Sequence, residues 1–472
     1  MGRPSAWLGF LLISVAAFPA SGTDGPLPSE NVWTRVRPTA VWCGDRNSTV
    51  TIEAHIVGRD DVAAARVVGP NEVFELHDDG THGDVTAGDG VFTAADVRPY
   101  CSSRFSLRYG SAVGTWYGTL EVTLASGQRL LDGKFLRIGL VHPRYGNAFR
   151  LESYGDGLSA TAYAFFIEDI DRALFDGYPV SSTMPEVAAR EAVRRLYRVF
   201  PDAFDLALVV PSMPIFETLD LGEVASLSLR VANDVLHIGL PIFDRGAEYG
   251  SGGLLQGVVY HSFGGLDLVD VEIAGLWGAD IGAAVGVSEE VGEGHYLWSP
   301  LSDVGGQLAS YYTSDDGLIG RFEANSDGTW RFVTAVENVR YAPLELYTMG
   351  LLKAEEVPPV HVLVDPDLTD PLSVIPASAV TVTIDDLVTA HGGARTYLAS
   401  QGPVEFSVAF IVVGDEPFTS AEYAYFSLLS YELTTKAAPS PSDYYAPFYW
   451  ATGGRATLKV SLPVNFPGPL GP

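Results

Sequence analysis

The chain is short of cysteine, of methionine and of positive charge. Its 472 residues include two cysteines, four methionines and 29 Lys and Arg against 58 Asp and Glu, a net charge of −29. A field of that sign repels phosphate, which argues against nucleic acid or an anionic membrane as a partner. The two cysteines form no C-x-x-C pair, which leaves no ground for zinc-thiolate or dithiol redox chemistry. No G-x-S-x-G elbow, Walker loop or dinucleotide fingerprint occurs in the sequence, so the common signatures of serine hydrolases, NTPases and dehydrogenases are missing.

What is present describes a folded, exported protein. Apolar residues make up 47% and charged residues 18% of the chain, a globular composition, and the length suits two to four domains. Arg3 precedes the apolar run WLGFLLISVAAF, residues 7–18, and then Pro19, Ala20, Ser21 and Gly22. A run this short cannot span a bilayer, so residues 1–22 are expected to be a signal peptide cleaved near Gly22. The expected location is secreted or periplasmic, with no membrane span in the mature chain. An even cysteine count in such a chain predicts one disulfide, Cys43–Cys101.

Alternating runs such as TVTIEAHIV (49–57) and TWYGTLEVTL (115–124) predict an all-β sandwich over residues 31–141. From 142 to 436 helices and strands mix. MPEVAAREAVRRLYRVFPDAF (184–204) predicts a helix, DLALVVPS and SVAFIVVGD predict buried strands, and Thr419 with Glu422 forms a capping box that opens a helix over 419–436. The expected class is multidomain: a sandwich, then an α+β unit, with a loop and closing strand in 437–472.

Two stretches could carry chemistry. In LHDDGTHGDVTAGDGVFT (76–93), Asp78, Asp79, Asp84 and Asp89 alternate with glycines, a composition that wraps oxygen ligands around calcium. The same composition makes tight turns, with Asp giving Asx-turns and Gly giving positive φ, and the EF-hand spacing is absent. Calcium is therefore the one candidate ion. NSDGTW (325–330) poses the same choice. In the octet VEIAGLWG (271–278), Glu272 sits where H-E-x-x-H carries its general base, but Val271 and Gly275 occupy the two ligand positions and have no lone pair to offer. His261 and His295 flank the octet and are weak zinc candidates. His237 and His361, in apolar runs, read as structural histidines. A Ser299, His295 and Asp303 set has nothing in the sequence to argue for it.

Several segments together resemble the bacterial secreted "choice-of-anchor X" group. ELHDDGTHGDVTAGDGVFT is similar to the Asp/Gly signature of its immunoglobulin-like domain. FPDAFDLALVV, HIGLPIFDRGAEYGSGGLLQGVVY, GHYLWS and YAPLELYTMGLLKAEEVP look like its second domain, in which H-E-[IL]-x-H-x-W-G stands where VEIAGLWG lies here. The resemblance implies an immunoglobulin-like sandwich followed by a zincin-like α+β domain. Carried over by position, it makes Val271 and Gly275 the lost zinc ligands, Glu272 the remnant base and His295 a further ligand or substrate contact. Three protein ligands are the norm for catalytic zinc, so no zinc is expected. The function expected is non-enzymatic, binding a peptide or surface polymer. Two alternatives stand beside it: a hydrolase with a metal relocated to His261, Glu272 and His295, and a structural envelope or matrix protein. Oligomeric state is not legible in the sequence.

Overall fold

A computed structural model describes residues 25–26, 32–56, 60–101, 113–171, 173–174, 186–201, 203–204, 206–212, 227–232, 235–239, 301–304, 320–334, 341–364, 366, 374–390, 394, 397–436 and 448–464. Over these residues the protein is mostly β-sheet with few helices.

The first nine strands are β1 (Gly25–Pro26), β2 (Val32–Arg37), β3 (Ala40–Trp42), β4 (Val50–Ile56), β5 (Val62–Val68), β6 (Val73–Leu76), β7 (Val91–Val97), β8 (Val113–Leu124) and β9 (Arg129–Val141). They form a three-stranded sheet, β2-β4-β7, and a six-stranded sheet, β1-β9-β8-β5-β6 with β3 on β9. Strand β4 buries every second residue, Val50, Ile52, Ala54 and Ile56, the pattern of a strand with one face inward. These side chains meet Val67, Leu120, Val122, Leu136 and Ile138 of the other sheet in one core, so the two sheets pack face to face. Trp116 fills this core because Gly69 and Gly118 lie against its ring: a Cβ at either would sit 2.3 or 2.4 Å from indole carbons.

The expected Cys43–Cys101 disulfide is present, with Cα atoms 5.6 Å apart. Cys43 directly follows β3 and Cys101 follows β7, so the bond ties one sheet to the other. Closing a loop over 58 residues of separation stabilises by about 4 kcal/mol in the chain-entropy model.

The second unit is a mixed sheet. Its strands are β10 (Glu152–Gly155), β11 (Leu158–Ala160), β12 (Phe165–Glu168), β13 (Leu206–Pro211), β14 (Leu227–Ala232) and β15 (Val235–Gly239). Two hairpins follow, β16 (Gly320–Ala324) with β17 (Trp330–Thr334) and β18 (Val360–Val364) with β19 (Ser378–Val382), and then β20 (Val404–Gly414) and β21 (Ala456–Lys459). Helices are α1 (Glu186–Tyr197), α2 (Pro343–Thr348), α3 (Ile384–Ala390), α4 (Ser420–Thr434) and α5 (Phe448–Ala451). The sheet order is β10-β11-β12-β20-β13-β14-β15, with β21 also on β20. Strand β20 runs parallel to β12 and β13 on either side.

The sequence of β20 explains its central place. From Val408 to Val413 every side chain is fully buried, as in a strand covered on both faces. Val408, Phe410 and Val412 join Phe166 against Phe418, Phe426 and Leu429. Ala409, Ile411 and Val413 join Phe165 and Ile167 against Val193, Leu196 and Phe200. Closing strand β21 is integral to this sheet, and Leu458 and Val460 belong to the same core as Phe410.

Helix α4 is apolar on two faces, which fits an element with a neighbour on each side. Phe426 and Leu429 pack under the sheet, while Ala424 and Leu428 meet Val141 at the end of β9. Its polar residues are satisfied: Ser427 Oγ lies 2.7 Å from Thr161 Oγ1, and Ser430 Oγ donates to the Tyr163 carbonyl at 2.8 Å. The sandwich is thus docked on the second unit through α4. Among the described residues no helix is long and apolar enough to cross a membrane.

Candidate functional site

The Asp/Gly loop connects β6 to β7 across the end of the sandwich. Asp78 closes it from one end: Oδ1 accepts from Gly88 N at 2.6 Å and Asp89 N at 3.2 Å, and Oδ2 from Gly90 N at 3.2 Å. Asp84 holds the middle, accepting from Gly80 N at 2.6 Å and Thr86 N at 3.1 Å. Asp89 caps Val91 N at 3.0 Å. These are the bonds of the turn reading.

The loop also divides the four expected carboxylates. Asp78, Asp84 and Asp89 each bring an oxygen within 4.8 Å of the others. Asp84 is buried, and none of the three makes an ion pair with Lys or Arg among the described residues. Asp79 belongs to a different group, with His77 and His82. The bonds already made divide them: Asp78 turns to the amides of residues 88–90, and Asp79 to the amide and hydroxyl of Thr81. The composition of the loop points to its aspartates; the two histidines, five residues apart in HDDGTH, are the signal it leaves unmarked.

NSDGTW forms the β16–β17 hairpin turn. Asp327 Oδ1 accepts from Thr329 N at 3.0 Å, and Gly328 has φ 84°. The Thr329 hydroxyl and amide hold the Asp327 carboxyl below its usual range.

A second constellation joins two distant segments. His361, on β18, lies 2.7 Å through Nδ1 from Asp303 Oδ2, and Asp303 Oδ1 accepts from the His361 amide at 2.8 Å. The bridge between Ser302 and Val362 sets this pairing. Trp330 stands beside the ring, with centroids 5.8 Å apart. A carboxylate on Nδ1 fixes the orientation of an imidazole and directs Nε2 outward, as in general bases and metal ligands. Asp303 therefore partners His361. Its weighed partners Ser299 and His295, together with Val271, Glu272, Gly275 and His261, lie outside the described residues. His237 lies on β15 opposite Arg230.

Mixed α/β sheets place ligands at the carboxyl ends of their parallel strands, where the chain order reverses. Among the described residues, the polar groups at that edge are paired with one another. Glu168, ending β12, accepts from Phe418 N and the Tyr423 hydroxyl, both at 3.2 Å. Burial pushes the Tyr423 phenol up to about 12. Asp169 is buried, accepts from Leu174 N at 2.9 Å and pairs with Arg195 at 3.3 Å; desolvation raises its carboxyl. Past β20, Asp415 pairs with Arg35 and Glu416 with Arg37, both arginines coming from β2 of the sandwich. Ser212, after β13, turns its hydroxyl back to the Val413 carbonyl at 3.2 Å.

Compared with protein families, curated proteins and solved structures, the chain matches none.

Proposed function

We propose that this is an exported, non-enzymatic protein that binds a peptide or surface polymer, built from an immunoglobulin-like sandwich and a zincin-like unit without its metal. The observation that supports it best is the pairing of the acidic groups that follow β20, at the carboxyl edge it shares with β12 and β13. Arg35 and Arg37 of the sandwich pair with Asp415 and Glu416 there, so these carboxylates, at the place where such a sheet would hold a substrate, are engaged by the protein's own first domain. The zincin-like part rests on the segment resemblance and on Val271 and Gly275 standing at the ligand positions of the octet. Calcium at Asp78, Asp84 and Asp89 belongs to the same reading, as a structural ion of the sandwich.

One observation favours a second reading, a hydrolase. The Asp303–His361 pair has the arrangement of an oriented base. Its partner would come from another segment, with the relocated set His261, Glu272 and His295 as the metal alternative.

The deciding experiment is incubation of the full chain with a mixed peptide library and with isolated cell-surface polymer. No turnover is expected, together with retention on one of the two materials. Turnover abolished by Glu272→Gln, His295→Ala or His361→Asn would establish the hydrolase instead. Neither turnover nor retention would leave the structural envelope or matrix role.

A further inference from the structure

The histidine side of the Asp/Gly loop has its own chemistry. His77, Asp79 and His82 each offer a ligand atom, and all three atoms lie within 4.8 Å of one another. The two imidazole rings are stacked, with centroids 4.0 Å apart and planes 22° from parallel. The ring of His77 is half-buried and has no hydrogen-bond partner among the described residues.

Strand β7 fixes this arrangement. His77 exchanges two backbone hydrogen bonds with Thr93, each 2.8 Å, and the His82 carbonyl accepts from Ala95 N at 2.8 Å. Thr93 and Ala95 are two residues apart on one strand, on the same face, so the pleat places the two histidines side by side. His82 takes φ 59° to reach that position, a left-handed conformation rare in residues other than glycine. The next residue must be glycine: Gly83 has φ 95°, and a Cβ there would stand 2.7 Å from the Ala95 methyl.

The side chains are oriented as well. Asp79 Oδ1 accepts from Thr81 N at 2.9 Å and from the Thr81 hydroxyl at 2.5 Å, and these bonds hold the carboxyl below its usual range. The same hydroxyl lies 2.5 Å from His82 Nδ1. A hydroxyl has one proton to give. When it donates to Asp79 it accepts from Nδ1–H, which leaves Nε2 of His82 with its lone pair. That is the outer-shell support that metal-binding histidines use.

We infer that His77, Asp79 and His82 form a transition-metal site of the zinc class on the sandwich, separate from the all-carboxylate side of the same loop. Two imidazoles and one carboxylate suit a borderline cation such as Zn²⁺, whereas three carboxylates suit a hard one. His82 and Asp79 have side chains 58% and 53% exposed, so rotation of side chains closes the site around an ion without moving the backbone. The neighbouring Asp78, Asp84 and Asp89 draw a cation in and supply no competing positive charge. This site owes nothing to the octet at 271–278 and stands whether or not the second unit is an enzyme.

The test is a calorimetric Zn²⁺ titration of the full chain, repeated with His77→Gln and with His82→Asn, chosen because Asn tolerates positive φ. One zinc per chain is expected, weakened at least ~10-fold by either change and by about the same factor in Thr81→Ala, as for other outer-shell partners. His295→Ala should leave it unaltered. Co²⁺ in place of zinc should give a visible absorption band that disappears in His77→Gln, and unchanged circular dichroism will show that the variant is folded. No saturable zinc, or zinc retained in His77→Gln combined with His82→Asn, would overturn the site. Zinc lost only on His295→Ala would overturn both this site and the non-enzymatic reading.

Discussion

Glu422 of helix α4 and Thr39 of the sandwich are bonded to each other twice over. Glu422 Oε1 accepts from the Thr39 amide at 2.8 Å and its hydroxyl at 2.9 Å, while Oε2 accepts the same two groups of Thr419, also at 2.8 and 2.9 Å. One buried carboxylate therefore caps its own helix and fastens the neighbouring domain. Glu422→Ala leaves up to four donors without an acceptor and should cost about 3 kcal/mol, against about 1 kcal/mol for Thr39→Ala. Urea unfolding of both single variants and the double variant checks this. A coupling near zero would mean that the two residues act independently.

The same residue sets a pH dependence. Burial raises the Glu422 carboxyl above the ordinary range of a glutamate, against the pull of its four hydrogen bonds. A carboxyl raised in the folded state binds its proton more tightly there than in the unfolded chain. Its contribution is then most favourable below the unfolded value and declines as pH rises through the window between the two values. The stability of Glu422→Gln minus that of the native protein should increase with pH from about 4.5 upward and then level off. A difference that stays flat, or falls, contradicts the assignment.

Asp84 makes the Asp/Gly loop testable in two ways. Asp84→Ala removes the acceptor for Gly80 N and Thr86 N and should cost about 2 kcal/mol without any ion present. Calcium at a hundredfold excess over its dissociation constant should add about 2.7 kcal/mol to the native protein and nothing to the variant. Melting curves in EDTA and in calcium read both effects. A native melting temperature indifferent to calcium would reduce the three carboxylates to turn-formers.

The domain junction admits no added volume at Gly139. A Cβ there would stand 2.9 Å from the ring of Tyr425 on α4 and 3.0 Å from the Ala40 methyl. Gly139→Ala should destabilise by about 1–3 kcal/mol, and Tyr425→Leu in the same chain should recover part of the loss. Thermal unfolding of the pair provides the measurement.

Trp116 is a buried indole whose Nε1 has no hydrogen-bond partner among the described residues. Trp116→Phe removes that unsatisfied donor together with part of the ring, so it should cost less than about 2 kcal/mol. Gly118→Ala, which drives a methyl into the ring, should cost more.

Elements whose signal is local were legible in the sequence. The alternation in β4, the continuous apolar run of β20 and the Thr419–Glu422 box all lie within a dozen residues, and each appears where it was expected. The disulfide was legible because two cysteines leave one pairing. What was hidden depends on long separations. Nothing local places β20 between β12 and β13, brings Arg35 to Asp415, or sets Asp303 against His361. His77 and His82 were overlooked for a different reason. They come side by side only through the backbone bonds of His77 and His82 to Thr93 and Ala95 of β7, a pairing that the local sequence does not announce.

Strand β20 gives the molecule a constraint in time. Its neighbours β12 and β13 are complete by residue 211, yet the strand that joins them begins at residue 404. Until then each has an unpaired apolar edge, the kind of edge that pairs readily with another chain. Contacts of such sequence separation close slowly. The sandwich, by contrast, has its whole core and its disulfide within residues 32–141. Folding should therefore proceed in two stages, with an early sandwich and a late sheet, and shielding of the β12 and β13 edges in the interval will decide the yield of native protein.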